Sequence, residues 1–176
     1  DQSFTIDRNR TLQICGEIIR RHIKIVWTIR TRTDLIDREL LPIMKEAGLY
    51  RIMYGVESGD QRILDRLGKR ENNAHISDII QLTKKNRIKV LGFFMLGCPG
   101  ETKETLERTK SFAIAMPFDD IQVTRFTLFP GTAFYKEYLQ ETGEDDYWQR
   151  YVLMKTAPHR LALYDTKFQA DEIDAE

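Results

Sequence analysis

Between two glycines, the run Gly55-Val56-Glu57-Ser58-Gly59-Asp60 places a carboxylate and a hydroxyl where backbone can come close to a ligand. Glu57 with Ser58 has the chemistry to bind vicinal hydroxyls. Alternatively, Ser58 or Asp60 caps a following helix, a role for which Glu57 is a poor choice. A second run, Gly92-Phe93-Phe94-Met95-Leu96-Gly97-Cys98-Pro99-Gly100-Glu101-Thr102, joins an apolar segment to a turn constrained by glycines and a proline. It could form a slot for a flat ring, or be a buried strand with a tight turn in which Glu101 or Thr102 favours a helix N-terminus. In Thr28-Ile29-Arg30-Thr31-Arg32-Thr33-Asp34, one arginine could aim its planar fork at a ligand carboxylate while the other is solvated or paired with Asp34. Arg32 is the preferred candidate. In Phe129-Pro130-Gly131-Thr132, Thr132 reads as a helix cap after a Pro-Gly turn.

Several chemistries are absent from the sequence. It has no Walker P-loop, no Gly-x-Ser-x-Gly elbow and no His-Glu-x-x-His. His22, His75 and His159 lie far apart and make no metal or catalytic set. Cys15 falls on an apolar helical stripe, as a small buried hydrophobe would. Cys98, in the glycine turn, has no basic neighbour in sequence to lower its pKa.

The elements that must position these residues alternate. Amphipathic helices are expected over 11–22, 37–47, 60–67, 73–85, 102–115 and 132–142, with strands over 23–29, 50–56, 88–96 and 120–128. One or two helices separate successive strands, too much chain for hairpins, so neighbouring strands should be parallel and joined by right-handed crossovers. Such a βα repeat makes a doubly wound sheet or a barrel, and in both the loops after the strands carry the chemistry. Asp1-Gln2-Ser3-Phe4-Thr5 directly precedes a helix, as if the chain opened in mid-repeat. Residues 1–142 form the repeat, and 143–176 read as a C-terminal extension with a fraying acidic end.

Composition narrows the classes. The 176 residues carry 27 Lys plus Arg against 27 Asp plus Glu, with 41% hydrophobic residues and two cysteines, as in an ordinary water-soluble domain. Zero net charge argues against nucleic-acid or anionic-membrane partners. The longest apolar stretch falls far short of the ~20 residues that cross a bilayer. No secretion signal or disulfide framework is visible, so the cytoplasm is the expected compartment.

Taken in order, Asp1-x-x-Phe4-Thr5, Trp27 with Arg32-x-Asp34, Leu41-x-x-Met44-Lys45-x-Ala47-Gly48, Gly55-Val56-Glu57-Ser58-Gly59, Gly92 to Thr102 and Phe129-Pro130-Gly131-Thr132 resemble the radical S-adenosylmethionine (radical SAM) enzymes. The resemblance is to members with an upstream cobalamin-binding domain and covers about residues 1 to 140. It implies a partial (β/α) TIM-like barrel of parallel strands, the later part of the family's six-unit barrel. It also implies a [4Fe-4S] cluster held by a Cys-x3-Cys-x2-Cys loop, S-adenosylmethionine bound to that iron-sulfur centre, and one-electron cleavage to a 5′-deoxyadenosyl radical, with cobalamin in an upstream domain. That cysteine loop is not in this sequence. By the same resemblance, Glu57 and Ser58 are similar to the ribose-side contacts and Phe94, Met95 and Leu96 to the strand against adenine. Arg32 is similar to a carboxylate or substrate-side contact, and Asp1 to a residue near the methionine amino group. Asn86-Arg87 replaces the family's frequent Ala-Gly, and Leu128 replaces a common proline.

The expected function is a catalytic-domain fragment of an oxidoreductase-type radical enzyme acting on a small molecule by methyl transfer, ring closure or rearrangement. The alternative is a non-catalytic partial barrel whose open edge recruits a partner or a second copy. A metal-independent lyase is disfavoured, because Lys69 and Lys103 fall on helix or turn positions rather than strand ends. The chain by itself is expected to give no turnover. Anaerobic reconstitution with iron and sulfide checks this, and a stoichiometric [4Fe-4S] spectrum with S-adenosylmethionine cleavage would overturn it.

Overall fold

The computed structural model describes residues 3–142 together with Trp148 and Val152. After a 3-10 turn at Phe4–Ile6, the order is α1 (Arg8–Arg20), β1 (Trp27–Thr31), α2 (Leu40–Glu46), β2 (Leu49–Glu57), α3 (Gln61–Arg66), α4 (Asn73–Lys85), β3 (Lys89–Leu96), α5 (Lys103–Ala115), β4 (Asp120–Arg125) and α6 (Ala133–Thr142). A second 3-10 turn, Thr33–Leu35, follows β1. The strands form one sheet in the order β1-β2-β3-β4, and β1 pairs parallel with β2 as β2 does with β3. The expected α/β class with parallel strands is what the chain adopts.

Two compact units are present. One holds the described residues up to Met95 with Lys103–Thr124; the other holds Leu96–Thr102 and the described residues from Arg125 onward.

Local chemistry explains where helices begin and end. The Asp7 carboxylate accepts from the Arg10 amide at the start of α1, Asp60 accepts from Arg62 at the start of α3, and Asn72 accepts from His75 at the start of α4. Asp37 binds the Leu40 amide at 2.8 Å ahead of α2, and Gly48, with φ +93°, ends that helix in the left-handed region. In the second unit, Thr132 accepts from the Tyr135 amide at 3.3 Å, the capping role its position suggested.

The largest departure from expectation is at β1. The apolar run from Ile23 was read as a strand to Ile29, but β1 starts at Trp27. The first ladder bond joins the Trp27 amide to the Gly48 carbonyl, so the preceding run has no strand to pair with, and Val26 is 79% exposed. β-Branched composition alone cannot place a strand; a neighbour must be in register.

Alternation along the strands sorts side chains onto two faces. Ile29, Ile52 and Val90 share one row across β1, β2 and β3, and all three lie in the core with Cys15, Leu41, Met44, Leu64, Ile76 and Ile80 from the helices. In the next row the Tyr54 hydroxyl, fully buried, donates to Thr83 at 2.8 Å, because the Thr83 proton is already given to the Ile79 carbonyl. The other face carries Arg30, Met53 and Leu91 in the row between, with Gly55 and Phe93 beyond. Among the described residues no helix is long and apolar enough to cross a membrane.

Two glycines test this packing in opposite directions. A Cβ at Gly59 would sit 2.5 Å from the Phe112 Cβ and 2.8 Å from the Thr109 Cα, whereas one at Gly16, within α1, meets nothing within 4 Å. Gly59→Ala should lower stability by about 1–3 kcal/mol through overpacking. Gly16→Ala should raise it by up to about 1 kcal/mol through helix propensity. Thermal and urea midpoints of the two variants check both signs.

Candidate functional site

In a parallel sheet the C-terminal strand ends share one edge, and here the ends of β1 and β2 meet a buried cluster of charges. β2 does not leave the sheet smoothly. Gly55 is level with Phe93 but Glu57 is level with Phe94, so Val56 and Glu57 together oppose one residue, a bulge at the strand end. Glu57 takes φ +73°, a conformation unfavourable for a side chain with a Cβ, and it persists only where surrounding bonds impose it.

Those bonds come from the loop between α3 and α4. The Lys69 ammonium, 9% exposed, donates to the Gly55 carbonyl and lies 3.8 Å from a Glu57 carboxylate oxygen and 3.9 Å from one of Glu71. Glu71, whose side chain is fully buried, accepts from the Thr33 hydroxyl at 2.5 Å and the Asp34 amide at 3.3 Å. Arg32 completes the group: its fork grips Asp34 through two bonds of 2.9 and 2.7 Å and stands 3.6 Å from Glu71. Arg32 is thus the arginine paired with Asp34, and Arg30 instead stacks over the Phe93 ring at 5.2 Å.

Burial pushes the Glu57 carboxyl above the usual range, partly opposed by Lys69, and pushes the Lys69 ammonium below its usual value, partly opposed by the two glutamates. The remaining predicted contacts fall differently. Ser58 is buried and its hydroxyl is fully engaged. Thr109 gives its proton to the Thr105 carbonyl, so Ser58 donates to Thr109 at 2.9 Å while accepting from the Asp60 amide at 3.1 Å. Asp60 is held by Arg62 and Arg108 and serves as the α3 cap. Phe94 turns to the core face and meets Phe118 edge-on with centroids 5.6 Å apart, so by alternation its neighbours Phe93 and Met95 take the opposite face. Asp1 lies outside the described residues.

Leu96 and the glycine turn belong to the second unit. There a Glu101 carboxylate oxygen accepts from the Gly97 amide at 2.5 Å and the Cys98 amide at 3.2 Å, closing the turn on itself. Its other oxygen is buried without a partner, and burial raises its pKa.

Sequence reasoning set Lys69 aside as a helix or turn position and missed Glu71; both fall in an α3–α4 loop with no motif. Arg70 and Lys69 directly before Glu71 look like an ordinary solvated run. It also chose Phe94 over Phe93, although period-two alternation held the signal.

A [4Fe-4S] cluster needs three cysteine thiolates, and Cys15 and Cys98 are both buried. Burial also raises the Cys15 pKa, away from the thiolate. Among the described residues no three His, Cys, Asp or Glu side chains gather as metal ligands, so these residues do not fit the cluster. At the rim the Glu57 carboxylate, a quarter exposed, can accept from hydroxyl donors, and Phe93 and Met95 lie on the sheet face opposite the core.

Comparison with known proteins shows the family. Residues 6–113 match the family model of the Radical SAM superfamily. An uncharacterized methyltransferase of Pyrococcus horikoshii is 32% identical over 77% of this chain and 30% of its own length. The anaerobic magnesium-protoporphyrin IX monomethyl ester cyclase of Rubrivivax gelatinosus is 34% identical over 82% of this chain and 26% of its own. Among solved structures, the radical S-adenosylmethionine methyltransferase TsrM of Kitasatospora setae, with cobalamin and a [4Fe-4S] cluster bound, superposes with TM-score 0.72 at 18% identity, covering 80% of this chain and 29% of that one. The chain therefore spans less than a third of each of these relatives.

The buried pair predicts a pH signature. Because the folded-state Glu57 pKa is raised above its ordinary 4.5, the folded state holds that proton longer, and stability falls as pH rises through the window just above 4.5. Glu57→Gln should remove this downward contribution. Urea midpoints of both proteins at closely spaced pH values measure it; parallel curves would contradict the assignment.

Proposed function

Because the chain belongs to the radical SAM superfamily, we propose that the strand-end rim is the nucleoside-facing part of an S-adenosylmethionine site in a radical enzyme whose other parts lie beyond these residues. The observation that carries this reading is Glu57. It is a carboxylate in a left-handed bulge at the end of β2, a quarter exposed, with Lys69 bonded to the Gly55 carbonyl and 3.8 Å from the Glu57 carboxylate. Such a conformation costs about 1–3 kcal/mol; His22 and Arg87 also take positive φ, both just after a helix, whereas Glu57 does so at a strand end.

Each group has a task. Glu57 accepts hydrogen bonds from the ribose hydroxyls. Lys69 holds the bulge and balances the carboxylate, and Glu71 holds Lys69 against the loop after β1. Ser58 acts through the turn it locks rather than by touching the ligand. Phe93 and Met95 offer apolar surface to the adenine, and Phe94 keeps their strand seated on the core. Arg32 keeps the unpaired part of a half-exposed guanidinium for the carboxylate end of the ligand. The electron transfer and bond cleavage are supplied by the family's cofactors when bound; these residues bind, orient and exclude water.

The relatives' methyltransferase and cyclase names support methyl transfer or ring closure as the reaction class of the whole protein. The cobalamin held by TsrM supports the same cofactor in a domain outside this chain. Calorimetric titration with S-adenosylhomocysteine tests the site without requiring turnover. Glu57→Gln should weaken binding about tenfold, the loss of a charge-assisted pair of bonds. Undiminished binding would remove the proposal.

A further inference from the structure

The face of the sheet opposite the core carries charges that the nucleoside rim does not use. Several arginines have a carboxylate: Arg8 pairs with Asp37 and Glu39, Arg20 and Arg21 with Glu17, Arg62 and Arg108 with Asp60. Arg30 and Arg51 do not. Among the described residues neither has a carboxylate within 4.0 Å, although both lie on the same strand pair.

Register makes them neighbours. Arg30 is level with Met53, and Arg51, two residues earlier on β2, is level with Thr28. Residues 51 and 53 point to one face, so the two arginines stand diagonally across the β1–β2 pair, on the side away from Ile29 and Ile52. The apolar residues of that face, Met53, Leu91 and Phe93, lie beside them. The Arg30 guanidinium is held over the Phe93 ring, its centre 5.2 Å from the centroid, which fixes the plane of the fork and leaves its donors open. The Arg51 Nε is buried and has no acceptor. A buried guanidinium donor without a partner is unfavourable, and an anion brought to it restores the missing bond.

We propose that Arg30 and Arg51 anchor a carboxylate on the substrate, whose flat apolar body rests on Met53 and Leu91. This rests on the reading of the neighbouring rim as the nucleoside site, and it adds the chemical class of the molecule acted upon. A carboxylate suits the planar fork because two parallel N–H donors meet its two oxygens. The apolar floor favours a planar ring system over a sugar or a flexible polar chain.

The probe pair 1-pyrenebutyrate and 1-pyrenebutanol shares ring and tether and differs in charge. By fluorescence anisotropy the acid should bind about tenfold more tightly than the alcohol, a preference that shrinks as salt is raised. Arg30→Gln and Arg51→Gln should each reduce that preference, and the double variant should abolish it. Arg30→Lys, which keeps the charge but not the fork, should retain part of it. Alcohol affinity stays the same throughout, showing that the variants remain folded. Equal affinity for acid and alcohol in the parent protein, or a preference that survives in the double variant, overturns the proposal. S-adenosylhomocysteine titrated in parallel separates the two readings. Nucleoside binding without acid preference removes the arginine anchor alone, and acid preference without nucleoside binding removes the rim alone.

Discussion

A buried ammonium bonded to a strand carbonyl governs the shape of this molecule's strand-end rim. When β2 bulges at Val56, the Gly55 carbonyl leaves the regular ladder and needs another donor. Lys69 supplies it. Burying a lysine is costly, so the two carboxylates beside it are part of the same solution, and Glu71 is in turn held by Thr33 and the Asp34 amide after β1. The loops after β1 and after α3 are thereby tied to the end of β2. Glu57, at φ +73°, follows that bulge with its carboxylate beside Lys69.

The second organising constraint is alternation. Each of β1, β2 and β3 has one face spent on the core, where Ile29, Ile52 and Val90 align and Tyr54 reaches Thr83. The opposite face is therefore the part of β1–β3 that is free for chemistry, and its residues form a sequence of their own: Arg30, Met53, Leu91, then Gly55 and Phe93, then Glu57 at the edge. Polar groups cluster at the strand ends because helices cover the core face and crossover loops can fold back over the edge. That is why an enzyme family can change its substrate on this scaffold without disturbing the core.

Much of this was legible beforehand, for reasons that differ element by element. The helix over 73–85 is found where its pattern placed it because Asn72 caps it, its apolar stripe faces the core and Asn86 ends it, three local signals in agreement. The run from Ile23 misled because its β-branched residues are strand-like in composition yet precede the point at which Gly48 offers a ladder partner. At the site, Glu57 stood out because a glutamate between glycines has no good structural reason. Ser58 and Asp60 carried an ambiguity between ligand and cap that only their partners, Thr109, Arg62 and Arg108, resolve.

The sequence by itself determined the order of elements, the parallel βα repeat and the family, because helix caps, glycine stops and apolar periods are local properties written within a few residues. Tertiary structure alone decided which arginine is paired and which is open, which phenylalanine faces the core, and that Lys69 and Glu71 belong to the site. Those outcomes depend on the β1–β2–β3 register and on a loop meeting a strand from which it is separated by a helix. Electrostatic partnership is settled by distance in space, and no spacing along the chain encodes it.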